Sequence, residues 1–418
     1  MRIVTALPPQ SYSASGADPA VVAEILADVR LRGDEALRHW TEKLDRHVPA
    51  RWQVPASLME QAWQGVAEPV RQALQLAADN IRRFADAQRA SHQPFEIEVA
   101  PGFFTGQRLE PVESAACYVP GGRYPLPSTV LMTAIPARVA GVARVVVLSP
   151  PGPNGWPDKH ILAAARLAQV DAVYAIGGAQ AVAAVAYGTA SVPAVDLVVG
   201  PGNAWVTEAK RQVYGQVGID ALAGPSEVMV LFDGSSDITK VAADLLAQAE
   251  HDAQAVALAV TVEQTAAWAL GAEVERQLAV LPTRAVAAEA IKQHGAILVV
   301  ADRAAMVRIA NERAPEHLEV CTRDAPQLAA ECTAFGGLFI GGEAAEVLGD
   351  YVSGPSHVLP TSRAGRYTGG LGVQTFTRVL TTQRALPGKA AHLATAAAIL
   401  ARVEGLEGHA RAAELRAS

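Results

Sequence analysis

The sequence predicts an α/β protein built on parallel sheets with helices on both faces. Three observations carry this. From about residue 111 onward, short apolar runs of strand length alternate with segments of helical period. Glycine turns separate the runs from the helices, as at Gly177-Gly178 and Gly200-Pro-Gly202. The 418 residues are too many for a single hydrophobic core, so roughly two to four structural units are expected.

In order, residues 1–90 read as helical. Asp18-Pro19 offers a capping side chain followed by a proline suited to the first helical position. Val21, Ile25 and Val29 continue one face, and Gly33 ends the run. A second helix is expected over 37–44. A long one is expected over 68–90, with Val70, Leu74, Leu76, Ile81 and Phe84 as its apolar positions. His39, His47 and His92 read as surface.

A strand then runs from Pro111 into the turn at Gly121-Gly122. Helix 128–142, strand 145–148, helix 160–167, strand 172–176, a helix to 187, strand 195–199 and a helix to 213 follow. A second series places strands at 228–232, 255–260, 297–300, 318–321 and 338–340, with helices at 238–250, 265–281, 285–293 and up to 313. After Leu386-Pro-Gly388 the chain reads as helical to its end, broken at Gly405. This tail is too short for its own core, so it must dock on the body or on a second subunit.

Half of the residues are hydrophobic and 18% are charged, an ordinary globular composition. The net charge of −7 and the lack of Lys/Arg-rich runs argue against nucleic acid as a partner. No apolar run approaches the roughly 20 residues of a membrane span. The first residues lack a long apolar signal core. Cys117, Cys321 and Cys332 form no CxxC and read as small buried hydrophobes in a reducing compartment. A cytoplasmic protein is expected.

The chemistry gathers in a few places. Gln248 and His251 lie three apart at the end of an amphipathic helix, so both leave one face about one turn apart. An amide oxygen and an imidazole nitrogen at that spacing suit a divalent metal or a solvated surface. Four loops carry polar groups that a bland loop would not need. Ala223-Gly-Pro-Ser-Glu227 and Ala314-Pro-Glu-His-Leu318 each precede a strand, and the others are Gly349 to His357 and Glu404 to His409. Glu316-His317 is the best general acid/base pair, or a histidine hydrogen-bonded at a strand start. Asp350 and His357 are either metal ligands or turn caps, and His409 either a ligand or surface. Gly177-Gly-Ala-Gln180 and Gly200-Pro-Gly-Asn203 suit a phosphate or ribose over a helix N-terminus, although no GxGxxG occurs in such a context.

Together these segments resemble the histidinol dehydrogenase family. The resemblance rests on Tyr118-Val-Pro-Gly-Gly122, Pro127 to Met132, Gly177 to Ala181, Gly200 to Ala204 with Thr207 to Lys210, and Ala223 to Glu227. It continues through Gln248 to His251, Ala314 to Leu318, Asp350 to Gly354 with Ser356 to Thr361, and Glu404 to Leu406 with His409, collinear from about residue 108 to the end.

The resemblance implies two incomplete Rossmann-like parallel-sheet domains with N-terminal helices and a helical C-terminal tail that reaches the partner subunit. The expected division is an arm at 1–14, a discontinuous first domain at 15–121 and 227–371, a second at 122–226 on the NAD side, and a dimer-swapped tail at 372–418. It implies a homodimer that oxidises L-histidinol through L-histidinal to L-histidine with two NAD and one zinc per subunit. Gln248, His251 and Asp350 would be zinc ligands, with His409 supplied by the partner. His317 would be the general base and Glu316 would activate water. Ser226, Gln248, His251, Glu316, His317, Asp350, His357, Glu404 and His409 would contact substrate. Tyr118, Gln180 and Asn203 would line the NAD site.

Zinc with N and O ligands suits the imidazole and amine of histidinol. Gly122-Arg-Tyr-Pro-Leu126 also fits paralogues acting on sulfonated propanediols, but the tail and Pro127 to Met132 favour histidinol. A zinc hydrolase, which needs no dinucleotide, and a metal-binding module without turnover are the competing classes.

Overall fold

The strand Glu227–Leu231 shows how each sheet buries two faces at once. Val228 and Val230 enter one core, while Met229 and Leu231 enter another. Side chains alternate along a strand, so a continuous apolar run can be buried only between two layers of helix.

The computed structural model describes residues 1–8, 16–45, 47–121 and 124–417. Gly122 and Arg123, and part of the expected arm at 1–14, lie outside the described residues. One parallel sheet has six strands in the order Arg2–Val4, Ala296–Val299, Val256–Thr261, Glu227–Leu231, His317–Val320 and Gly337–Ile340. The second parallel sheet has five, in the order Ala172–Ala175, Arg144–Ser149, Ser114–Tyr118, Leu197–Val199 and Gly218–Ile219. In both, strand order reverses beside the founding strand, at Glu227–Leu231 and at Ser114–Tyr118. Such a reversal opens a crevice at the sheet edge.

Helices cover both sheets on both faces. Helices Pro19–Arg32, Asp34–Leu44, Gly178–Tyr187 and Ala204–Val213 share a core with Ala116 and Tyr118. Helices Ala56–Gly65, Glu68–Ser91, Pro127–Ala140 and Lys159–Leu167 share the opposite core with Ala115 and Cys117. The N-terminal helices and the strand Ser114–Tyr118 therefore pack on the five-stranded sheet. The expected division had placed 15–121 with the six-stranded one. The apolar stripes of three of those helices were legible, but a stripe does not say which sheet it will cover.

Asp18 accepts a hydrogen bond from the Ala20 N–H at 2.9 Å, and Gly33 closes the first helix at φ 57°. Residues 1–90 are not wholly helical, because Arg2–Val4 pairs in parallel with the strand Ala296–Val299. Nor is the tail wholly helical. Thr377–Ala385 is a strand, antiparallel to Phe103–Pro111, which in turn pairs with Phe95–Ala100. This three-stranded sheet went unread in the sequence. The tail then forms helices Ala391–Val403 and Glu407–Glu414, broken at Gly405 as expected. Among the described residues, no helix is long and apolar enough to cross a membrane.

Candidate active site

The chain enters the strand His317–Val320 through a forced turn. Ala314 ends the preceding helix in the left-handed region at φ 46°, and Pro315 forbids its continuation. Such strain in a non-glycine residue persists only where the surroundings hold it. Here the neighbouring Arg313 is buried in an ion pair with Glu227 at 2.7 Å. The Glu227 N–H donates to Glu316 Oε2 at 3.0 Å. The start of one strand thus fixes the carboxylate at the start of the next.

His317 is buried among acids. Its Nδ1 lies 3.2 Å from the Glu227 carbonyl oxygen, 3.7 Å from Glu316 Oε2 and 3.8 Å from Glu346 Oε1. A carbonyl oxygen only accepts, so Nδ1 carries the proton. Nε2 is left without a hydrogen-bond partner, 3.7 Å from Asp350 Oδ1. In the neutral ring Nε2 is therefore the atom free to take a proton. Burial works against its charge, but the carboxylates of Glu346, Glu316 and Asp350 outweigh this and hold the imidazole well above its ordinary range. Burial pushes the Glu316 carboxyl up to about 7.

Strand and helix periodicity assemble the rest. His317 and Glu319 alternate with the core residues Leu318 and Val320 and so point away from that core, to the opposite face of the sheet. Glu346 and Asp350 are one turn apart on the helix Glu346–Tyr351. The Glu346 N–H donates to Glu319 Oε1 at 2.6 Å. Asp350 Oδ2 approaches His251 Nε2 at 3.9 Å. Ligand atoms of His251, Glu346 and Asp350 lie within 4.8 Å of one another. Gln248, a turn before His251, is fully buried, yet neither its Oε1 nor its Nε2 has a partner. A buried amide without hydrogen bonds is costly, and a cation at this point would satisfy it. The residues therefore fit a divalent metal with nitrogen and oxygen ligands.

His357 is held on two sides. Its Nδ1 donates to the Asp350 carbonyl at 3.0 Å, and its Nε2 accepts from Thr129 Oγ1 at 3.0 Å. Burial lowers its pKa, which keeps it neutral. Thr129 belongs to the helix Pro127–Ala140, so this bond ties the two sheets together at the site. Ser226, half-buried, precedes Glu227 directly. Glu404 and His409 are both exposed, at the joint between the tail helices. Among the described residues, no hydrogen bond or ion pair joins either to the Asp350 group.

Tyr118, Gln180 and Asn203 meet in one cavity of about 630 Å³. All three follow or end strands of the five-stranded sheet, on its carboxyl side at the strand-order reversal, where nucleotides bind in open α/β sheets. Tyr118 Oη accepts from the Gly178 N–H at 3.1 Å. Asn203 caps its helix by accepting from the Trp205 and Val206 N–H groups, both at 3.1 Å. A larger cavity of about 870 Å³ lies under residues 2–8 and takes in Glu227 and Arg313 but none of the expected ligands.

Sequence reasoning missed Glu346, Glu319 and the Glu227–Arg313 pair. The signals were present, in the spacing of four between Glu346 and Asp350 and of two between His317 and Glu319. Neither says that a carboxylate will be buried.

The family model described as histidinol dehydrogenase matches residues 10–417. A curated histidinol dehydrogenase of Lactiplantibacillus plantarum is 43% identical over 397 residues, covering 95% of this chain and 92% of that protein. One of Parasynechococcus marenigrum is 46% identical over 396 residues, covering 94% and 90%. The crystal structure of histidinol dehydrogenase from Elizabethkingia anophelis superposes with a TM-score of 0.92 at 32% identity, covering 98% of this chain and 93% of that one.

Proposed function

The chain belongs to the histidinol dehydrogenase family, and on that premise we propose that it oxidises L-histidinol through L-histidinal to L-histidine with two NAD and one zinc per subunit. The observation that carries this reading is the orphaned Gln248 amide beside His251 and Asp350, next to a histidine with a free Nε2.

Gln248, His251 and Asp350 would hold the zinc, which would supply a template and Lewis acid for the imidazole and amine of histidinol. Glu346 lies close enough to contribute. NAD in the Tyr118–Gln180–Asn203 cavity would accept the hydride. With the charges of Asp350 and Glu346 offset by the cation they would hold, the His317 ring would be neutral, and its Nε2 takes the hydroxyl proton as the C–H bond breaks, giving the aldehyde. Its Nδ1 stays bonded to the Glu227 carbonyl, which fixes the ring. Glu316, titrating near neutrality, takes a proton from the water that adds to the aldehyde. The hydrate, deprotonated in that step, then gives up a second hydride to a second NAD and becomes the carboxylic acid, which ionises to the carboxylate. Holding histidinal between the steps keeps a reactive aldehyde out of solution. Ser226, just before Glu227, and His357, bonded to the Asp350 carbonyl, are assigned to substrate.

Glu404 and His409 complete the site from the partner subunit. The support is the apolar surface left bare by one chain. Ile399, Leu400, Val403 and Leu415 on the tail, and Phe95 and Ile97 on the three-stranded sheet, are all exposed. A patch of this kind marks an interface, and a two-fold contact would carry each tail to the other's site. The three cysteines are all unpaired, which suits a reducing cytoplasm.

The test is NADH formation with L-histidinol, with a dihydroxypropane sulfonate as competitor substrate, with and without zinc. Turnover of histidinol that needs zinc supports the reading. Preference for the sulfonate, or zinc-dependent hydrolysis without NAD, overturns it.

A further inference from the structure

The cavity that holds Tyr118, Gln180 and Asn203 is also lined by Asp45. Asp45 follows the helix Asp34–Leu44, and its own N–H closes that helix on the Thr41 carbonyl at 2.9 Å. The backbone therefore fixes where its side chain starts. Gln180 Nε2 donates to Asp45 Oδ2 at 3.0 Å. That bond orients the Gln180 amide and leaves its buried Oε1 without a partner. Gln180 Oε1 is itself buried, so the acceptor that the wall presents is the second carboxylate oxygen of Asp45. Burial raises the Asp45 pKa, while the Gln180 hydrogen bond opposes the rise.

The position of Asp45 decides which end of a dinucleotide it meets. The helices carrying Asp45 and Gln180 pack on one face of the five-stranded sheet. The helix carrying Thr129, which touches His357, packs on the other. The nicotinamide must reach His317, on the Thr129 side. The Asp45 side is left to the adenosine end. A ribose hydroxyl donates to a carboxylate, whereas a 2′-phosphate brings negative charge against it.

We propose that Asp45, oriented by Gln180, accepts a hydroxyl of the adenosine ribose and selects NAD against NADP. The proposal rests on the reading of this cavity as the cofactor site. A 2′-phosphate set against the carboxylate is repelled, so the native enzyme should favour NAD by about a hundredfold or more in kcat/KM.

The experiment measures initial rates of zinc-loaded enzyme with L-histidinol and either cofactor. Asp45→Asn should raise the KM for NAD and narrow the NAD/NADP ratio by about tenfold or more, with the KM for histidinol unchanged. Asp45→Ser, which also leaves room for a phosphate, should narrow it further and serves if the asparagine variant is unstable. Asn203→Ala is the control on the cavity itself. An unchanged ratio in both Asp45 variants, with a raised KM for NAD in Asn203→Ala, overturns the role of Asp45 but keeps the cavity. An unchanged KM for NAD in all three overturns the cavity reading as well.

Discussion

Replacing His317 by asparagine should slow the first oxidation by roughly 10²- to 10⁴-fold, the usual worth of a general base, while zinc content stays normal. Loss of metal from that variant would instead move His317 among the ligands. Glu316 makes a prediction with a sign. Its folded carboxyl titrates at about 7, above its ordinary range, because it is buried. As a base it works only when ionised, so the aldehyde step should weaken as pH falls below 7 and level off above it. Glu316→Gln should slow that step more than the alcohol step and remove the limb; equal slowing of both steps would defeat the assignment. The same shift means that the stability Glu316 contributes is lost as pH rises through 7. Burial also pushes the thiols of Cys117 and Cys321 to about 12 and of Cys332 to about 11. Alkylating reagents at neutral pH should therefore leave activity intact. At this scale the sequence carried Gln248, His251, Glu316, His317 and Asp350 through their spacing and loop context. It did not carry Glu346, Glu319 or Asp45, whose roles depend on packing between distant elements.

Gly200 shows how an element depends on one position. It sits at φ 109°, and a Cβ there would overlap the Tyr118 carbonyl oxygen. Its N–H donates to Asp220 at 2.7 Å, and its carbonyl accepts from Lys210 Nζ at 3.0 Å. Lys210 and Asp220 are themselves a buried ion pair. The loop that carries Asn203 is thus clamped from both sides. Gly200→Ala should raise the KM for NAD and lower the melting temperature, since strain of this kind costs on the order of 1–3 kcal/mol before any clash. A variant with native KM and stability would show that the loop bends freely. Elements with their own punctuation were legible, such as the helix opened by Asp18-Pro19 and closed by Gly33. The strand Phe95–Ala100 carries a clear alternation of Phe95, Ile97 and Val99 with Glu96 and Glu98. It pairs with the adjacent strand Phe103–Pro111, and only the third strand of that sheet, Thr377–Ala385, lies far along the chain, where no local pattern links it to the other two. The helix Ala56–Gly65 went unread as well; it is short, with only Met59 and Ala62 buried.

At the scale of the whole molecule, the account requires that one chain be incomplete. Deleting 405–418 should remove both zinc and activity, and a fully active truncated protein would show that His409 lies outside the site. Mixing His317→Asn and His409→Ala chains under conditions of subunit exchange should restore about a quarter of native activity, because only the mixed dimer carries one whole site. Nothing in the sequence pointed directly to the proposed interface. The apolar residues assigned to it sit on a strand and on tail helices that look half-buried in any single-chain reading. The most direct test of the central claim is the yield of NADH per L-histidinol by zinc-loaded and metal-stripped enzyme. Two NADH for each histidinol with zinc, none without, and full recovery on adding zinc back is the predicted result. One NADH with release of the aldehyde, or the same yield from metal-free protein, would contradict it.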